Sequence, residues 1–302
     1  MKIAVIYGGV SSEREVSLST GKGVMEALKK KGHEVTGIDF HPDRLEEVIQ
    51  LDSDLAFIGL HGKFGEDGRL QALLDMLKIP YIGSGVGASS LAMDKGRAKV
   101  MFEKAGIRVA EGRVIKNNEL LEASPFGYPV VIKPNQEGST IGLTIAEDQE
   151  SFIAGIQNAF KYDSEVMIES YVKGKELTVS ILGNDALPII EIVPKNSYYD
   201  YESKYAPGMS EHIVPARVDQ ALTKKIQEWA IRAHQALGCS IYSRVDFIVP
   251  EDGSEPVILE VNTLPGMTPT SLFPDAAREV GLSYEDMIDK LVQLTLAKRD
   301  EK

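Results

Sequence analysis

Residues 243–262 read SRVDFIVPEDGSEPVILEVN. Two runs rich in β-branched and aromatic residues flank a Pro/Asp/Gly/Ser linker, the pattern of two strands joined by a turn. A strand sends alternate side chains to opposite faces, so Arg244 shares a face with Asp246, and Glu260 shares one with Asn262. A hairpin centred on Gly253 sets Asp246 opposite Glu260 and Arg244 opposite Asn262. Two directly opposed carboxylates repel each other, so the pattern predicts a positive charge between them. Two carboxylates and a carboxamide are oxygen-only donors, which suit Mg²⁺. Arg244 beside them would stabilise charge on a transferred phosphoryl group. The plain alternative is a surface hairpin with its acids facing water.

Outward from the hairpin, the chain changes texture twice. Residues 1–90 alternate strands (KIAVIYGG, HEVTGIDF, LAFIGLHG, PYIGSG) with helical patterns near 17–31, 43–50 and 68–78. Such alternation implies an open parallel sheet flanked by helices. One helix is expected from about Ala88 to Ala105. Residues 91–174 then read as a small mixed lobe, with strands RVAEGRVI, YPVVIKP, GLTIAED and VMIESYV and a helix near 149–160. Residues 175–302 read as a larger lobe with strands KELTVSILG and ALPIIEIVP, a helix at 217–237, the hairpin and a last helix from Ser283. The fold class expected is α/β, an N-terminal parallel domain followed by a two-lobed α+β module. Between 196 and 215 lies a polar, tyrosine-rich segment without periodicity; loops of that length in a compact domain are usually functional.

The 302 residues are 43% hydrophobic and 26% charged, an ordinary globular composition. No apolar run approaches the roughly 18 residues needed to span a bilayer, and the start lacks the pattern of a signal peptide. Cys239, the single cysteine, precludes an internal disulfide and reads as a buried thiol. These features together favour the cytoplasm. A net charge of −12 argues against a nucleic-acid surface but not against a nucleotide held by a few local lysines.

Other stretches admit two readings each. Lys133 ends the strand PVVIK and is followed by Asn-Gln-Glu137-Gly138-Ser139-Thr140, which suits a phosphate cradle of backbone N–H groups and an ammonium or an exposed hairpin. Lys95 in AMDKGRAK is a solvated helix charge unless context says otherwise. Glu13 and His61 lie at strand ends, where open α/β sheets bind ligands, although Glu13 equally suits a helix N-terminus. The glycines of GSGVGA, 83–88, follow the fourth strand without a later acidic partner and suit a tight crossing between lobes rather than a dinucleotide site.

Taken together and in order, GGVSSEREVSL, LHGKFGEDG, MDK, VIKPNQEGSTIG, YESKYAPG, SRVDF and LEVNTLPGMTPTSL resemble the D-alanine–D-alanine ligase family of ATP-grasp enzymes, from about residue 8 to 275. The resemblance implies ATP contacts from Lys95, Lys133, Glu137, Gly138 and Lys204, adenine contacts from Glu169, Tyr171 and Val172, and a ribose contact from Glu176. It implies two Mg²⁺ on Asp246, Glu260 and Asn262, with Mn²⁺ able to substitute and a monovalent cation such as K⁺ as a further ion. Glu13, with His61 nearby, would hold the first D-alanine. Arg244 and the Gly266 N–H would stabilise the oxyanion, and Ser271 and Leu272 would bind the second carboxylate. Ser139, Tyr205 and Glu13 would form one hydrogen-bonded set as the loop closes. The implied activity is ATP-dependent synthesis of D-alanyl-D-alanine for peptidoglycan, by a homodimer, without nucleic-acid or membrane partners. A depsipeptide-forming or D-serine variant is the alternative, and Tyr205, where depsipeptide makers typically carry Phe, favours the dipeptide. Another ATP-grasp carboxylate–amine ligase is a further alternative, and a nucleotide-binding regulatory module is the non-enzymatic one.

Overall fold

The computed structural model of the protein describes residues 1–117, 119, 121–194 and 210–300. Strands β1 (Lys2–Gly8), β2 (Glu34–Phe40), β3 (Leu55–Ile58) and β4 (Tyr81–Ile82) form a parallel sheet in the order β2-β1-β3-β4. The apolar runs at 3–6 and 55–58, in its central strands, are buried, as expected of a parallel sheet covered on both faces. One cover is helix α1 (Arg14–Lys30), which buries Val24, Ala27 and Leu28 at helical spacing. The same core takes Phe273 from helix α8 (Leu272–Glu279), and Met287 and Leu291 from helix α9 (Tyr284–Asp300). The far end of the chain therefore completes the core of its beginning. Helices α2 (Glu46–Ile49) and α3 (Arg69–Leu77) lie between the strands.

A second sheet is antiparallel. Strands β5 (Gly112–Lys116), β6 (Val130–Pro134), β7 (Thr144–Ala146) and β8 (Glu165–Ser170) run in the order β5-β8-β6-β7. One face, with Val130, Ile132, Val166 and Ile168, packs on Phe152 of helix α6 (Gln149–Ala159). The third sheet contains β9 (Gly174–Leu182), β10 (Asp185–Ala186), β11 (Ile190–Pro194), β12 (Ser210–Ile213), β13 (Tyr242–Pro250) and β14 (Val257–Asn262), in the order β12-β11-β9-β13-β14 with β10 beside β9. Its apolar face, with Val179, Val245, Phe247 and Val261, packs on Ile226, Trp229, Ala230 and Ala233 of helix α7 (Gln220–Ala236). No described helix is long and apolar enough to cross a membrane.

Four expectations change. The single helix expected over 88–105 is two, α4 (Val86–Met93) and α5 (Lys95–Lys104), broken at Asp94. Asp94 leaves helical geometry to accept the Arg97 N–H at 3.0 Å, and N-cap bonding competes well with continuation at an aspartate. The hairpin pairs Arg244 with Asn262 and Asp246 with Glu260, but a bulge then sets Phe247 opposite Ile258. Its symmetry about Gly253 holds only around the acidic residues. The polar segment 196–215 ends in strand β12, paired with β11. Helix α8 begins inside TPTSL, where the pattern gave no periodic run long enough to reveal it.

Candidate active site

The polar face of the third sheet is set by strand alternation. Arg244 lies beside Ser180, Asp246 beside Thr178, and Ile248 beside Glu176, while β14 adds Glu260 and Asn262 on the other side. The small sheet turns Val131, Lys133 and Glu169 away from its own core. Between the two sheets lies a cavity of about 190 Å³, lined by Val131, Ile145, Tyr171, Val172, Glu176 and Ile248 and ringed by Lys95, Lys133, Glu137, Glu169, Asp246 and Glu260. A second cavity, of about 560 Å³, lies against the parallel sheet and holds Glu13, His61, Arg244, Gly266, Ser271 and Leu272. Gly138, Ser139 and Glu260 line both, so the cavities meet at these residues. The residues predicted for ATP thus line one cavity and those predicted for amino acids line the other. Tyr205 and Lys204 lie outside the described residues.

At the junction, the Ser139 hydroxyl donates to a Glu13 carboxylate oxygen at 2.5 Å, across 126 positions of sequence. Glu13 occupies the N-cap position of α1 without a side-chain capping bond. Its carboxylate lines the larger cavity, so Glu13 stands both at the helix N-terminus and at the cavity wall. Ser139 and Thr140 both adopt positive φ, 52° and 64°. Non-glycine residues in that region carry backbone strain, which concentrates at functional loops.

His61 is buried, with Nδ1 3.2 Å from the Leu264 carbonyl and Nε2 3.1 Å from the Thr20 hydroxyl. A carbonyl only accepts, so Nδ1 carries the proton and Nε2 accepts from Thr20. Burial pushes the ring's pKa below its ordinary value, against the pull of Glu13, and His61 stays neutral.

Asp246 is held from three sides. Arg244 donates from Nε and Nη2 at 2.9 and 2.7 Å, Asn262 at 3.0 Å and the Thr178 hydroxyl at 2.6 Å. Lys95 lies 3.9 Å from Glu260 and donates to the Glu137 carbonyl at 2.5 Å. Side chains of the protein thus supply positive charge beside the opposed acids. Among the described residues no cluster of three or more His, Cys, Asp or Glu stands ready for a metal. The two carboxylates and the carboxamide at the cavity junction nevertheless match the oxygen chemistry of Mg²⁺, with Asp246 sharing its oxygens with Arg244.

Several neighbours escaped the sequence reading. Glu66, five residues after His61, accepts the Gly62 N–H at 2.6 Å in the larger cavity. Burial, reinforced by the Glu13 charge, pushes its carboxyl up to about 8. Lys99 and Lys133 both bond Glu169, Lys99 at 2.5 Å. Burial raises the Glu169 carboxyl, but the Lys133 and Lys99 charges outweigh it and hold the pKa at about 2. The same burial pulls the Lys99 ammonium below its ordinary value, while the short contact is the geometry of two charged groups. The signal for Lys99 was its spacing of four from Lys95 at the start of a helix, and for Thr178 its spacing of two from Glu176 on a strand.

Gly266 approaches Ser271 so closely that an added Cβ would lie 3.1 Å from the Ser271 hydroxyl. That hydroxyl also accepts the Thr268 N–H at 3.1 Å, fixing Ser271 at the N-terminus of α8, an end suited to a carboxylate. Within 83–88, Gly83 meets the residues that precede β13, the Ser240 hydroxyl donating to its carbonyl at 2.9 Å. Cys239 is largely buried, and burial pushes its thiol up to about 11.

Comparison with known proteins follows the same division. The family model for the D-ala D-ala ligase C-terminus matches residues 100–293, and that for the N-terminus matches residues 41–84. A D-alanine–D-alanine ligase of Halalkalibacterium halodurans is 64% identical, over 99% of this chain and 100% of that protein. One from Geotalea uraniireducens is 48% identical over 96% of this chain and 94% of its own. The crystal structure of a D-alanine–D-alanine ligase from Bacillus anthracis complexed with ATP superposes with a TM-score of 0.88 at 36% identity, covering 100% of this chain and 99% of that one. A D-Ala:D-Ser ligase from Enterococcus faecalis gives a TM-score of 0.84 at 33% identity, covering 97% and 99%. With both halves matched and the identity sustained along its length, the chain belongs to the D-alanine–D-alanine ligase family.

Proposed function

We propose that this protein joins two D-alanines into D-alanyl-D-alanine and cleaves ATP to ADP and phosphate. The observation that carries the reading is the junction, where a cavity rimmed by lysines opens onto one lined by Glu13, Arg244 and Ser271. A carboxylate and an amine do not condense in water unaided. The first D-alanine, its ammonium on Glu13, presents its carboxylate to the γ-phosphate at the junction. An oxygen–phosphorus bond forms, ADP leaves, and an acyl phosphate results. The second amino group, once deprotonated, attacks the acyl carbon. The peptide bond forms, and phosphate departs with an oxygen from the first carboxylate. Lys95, Lys133 and Arg244 offset the accumulating charge, and holding both reactants in adjoining cavities removes most of the entropic barrier.

Asp246, Glu260 and Asn262 are the residues that would hold two Mg²⁺, which would supply positive charge against the phosphates. Glu176 takes the ribose, and Glu169, Tyr171 and Val172 take the adenine. Ser271 and the N-terminus of α8 take the second carboxylate, and the Gly266 N–H faces the oxyanion. The division into 1–90, 91–174 and 175–302 follows these roles, and most of the segment 196–215 lies outside the described residues. A reaction that consumes ATP belongs to the cytoplasm, and the family supports a homodimer, which sedimentation would test. Phosphate release from Mg-ATP should appear with D-alanine and stay near background with L-alanine or D-lactate alone. Equal release with L-alanine, or none with D-alanine, would overturn the reading.

A further inference from the structure

Lys99 has no part in the roles given so far. It lies on α5, one turn beyond Lys95, and does not line the nucleotide cavity. Its ammonium reaches one oxygen of Glu169 at 2.5 Å while Lys133, from inside the cavity, holds the other. The route is kept open by Gly112, which pairs with Glu169 across β5 and β8. A Cβ at Gly112 would lie 3.2 Å from the Lys99 nitrogen and 2.9 Å from the Glu169 Cβ. Both Lys99 and Glu169 are buried, and a buried charge is costly unless paired. A lysine carried under a strand to meet an acid from behind is more than the Lys133–Glu169 pair requires.

We infer that Lys99 is a positioning residue of the nucleotide site: by taking one oxygen of Glu169 from behind, it leaves Lys133 with charge to give to the phosphates. Among the three groups, two ammoniums face one carboxylate, a net charge of +1. Without Lys99, Glu169 and Lys133 form a neutral pair, and the ammonium at the cavity wall is spent on its own protein. The inference rests on the reading of this cavity as the nucleotide site.

The test is calorimetric titration of ATP, ADP and adenosine, with Mg²⁺ present, into four proteins: wild type, Lys99→Met, Glu169→Gln and the double variant. Lys99→Met should weaken ATP binding by about tenfold or more, ADP less, and adenosine least, since the lost charge acts on phosphates. With Glu169 replaced, Lys133 keeps its charge whether or not Lys99 is present, so Lys99→Met should cost ATP affinity in the wild-type background and little in the Glu169→Gln background. A purely structural lysine would lower all three ligands equally, and by the same factor in both backgrounds; that pattern overturns the inference. If Lys99→Met does not fold, the double variant, which lacks the orphaned carboxylate, still decides. Because Glu169 itself takes the adenine, the double variant is judged against Glu169→Gln: it should bind ATP within a few-fold of that variant, and binding tenfold weaker than Glu169→Gln overturns the inference. Failure of the wild type itself to bind ATP would instead overturn the reading of the cavity.

Discussion

Glu13 and Glu66 share one cavity but meet different environments. Glu13 accepts the Ser139 hydroxyl and faces the place assigned to a substrate ammonium. Replacing it by Gln removes one partner of a largely desolvated charge pair, which costs roughly 2–5 kcal/mol. The loss should fall chiefly on KM for the first D-alanine, and an unchanged KM with normal turnover would contradict the assignment. Glu66 is the residue with a proton to lose. Its folded pKa of about 8 lies above the ordinary 4.5, so its contribution to stability is complete below about pH 4.5 and is lost as pH rises through 8. Gln at this position keeps an acceptor for the Gly62 N–H and cannot ionise. Thermal melts without ligand should therefore show Glu66→Gln gaining on wild type between pH 6 and 9, by about 1–2 kcal/mol given the partial opening to the cavity. Parallel pH profiles would place the Glu66 proton elsewhere.

At the scale of elements, the break between α4 and α5 places Lys95 at the start of α5, beside the end of the strand that carries Lys133. Asp94 caps α5 and accepts from the Asn135 amide at 3.0 Å, while the Asn135 side-chain oxygen accepts the Gly96 N–H at 2.9 Å. This clasp ties the residue beside Lys95 to the end of β6, two positions beyond Lys133. Asp94→Ala should cost about 1–3 kcal/mol, since it removes a cap and strips the buried Asn135 of a partner. It should also raise KM for ATP, and a stability loss without any change in ATP affinity would confine the clasp to folding. The break was not legible in the sequence, because Gly96 in SLAMDKGRAKVMFEK falls inside the second helix rather than at the stop; only the cap preference of aspartate hinted at it. The hairpin was legible around its acids, since period-two alternation fixes which side chains share a face. The bulge after Asp246 was not, because turn residues alone do not determine where an extra residue is absorbed.

For the whole molecule, function depends on three sheets meeting at one point. Local patterns gave the parallel sheet, the division into two further lobes and the acidic hairpin, while most of the residues that line each cavity were implied by the family resemblance. Adjacency of Glu13 to Ser139, 126 residues apart, followed from family resemblance and not from any local pattern, and the extra partners of Asp246 and Glu169 emerged only from packing. Ligand should bind the assembled state alone, and Mg-ATP at a hundredfold excess over its Kd should stabilise the fold by about 2.7 kcal/mol. Glu260→Gln should lose most of that shift in thermal melts and leave the ligand-free protein nearly unchanged, because Lys95 lies 3.9 Å away and the opposed Asp246 is already paired. A full shift with Gln at 260 would remove that carboxylate from the nucleotide site. The central claim is that a D-alanine carboxylate from one cavity attacks a phosphate from the other at their junction. D-Alanine carrying ¹⁸O in its carboxyl group tests it directly, by mass analysis of the phosphate released with unlabelled Mg-ATP. The account predicts one ¹⁸O in each phosphate formed with dipeptide; phosphate free of label would contradict it.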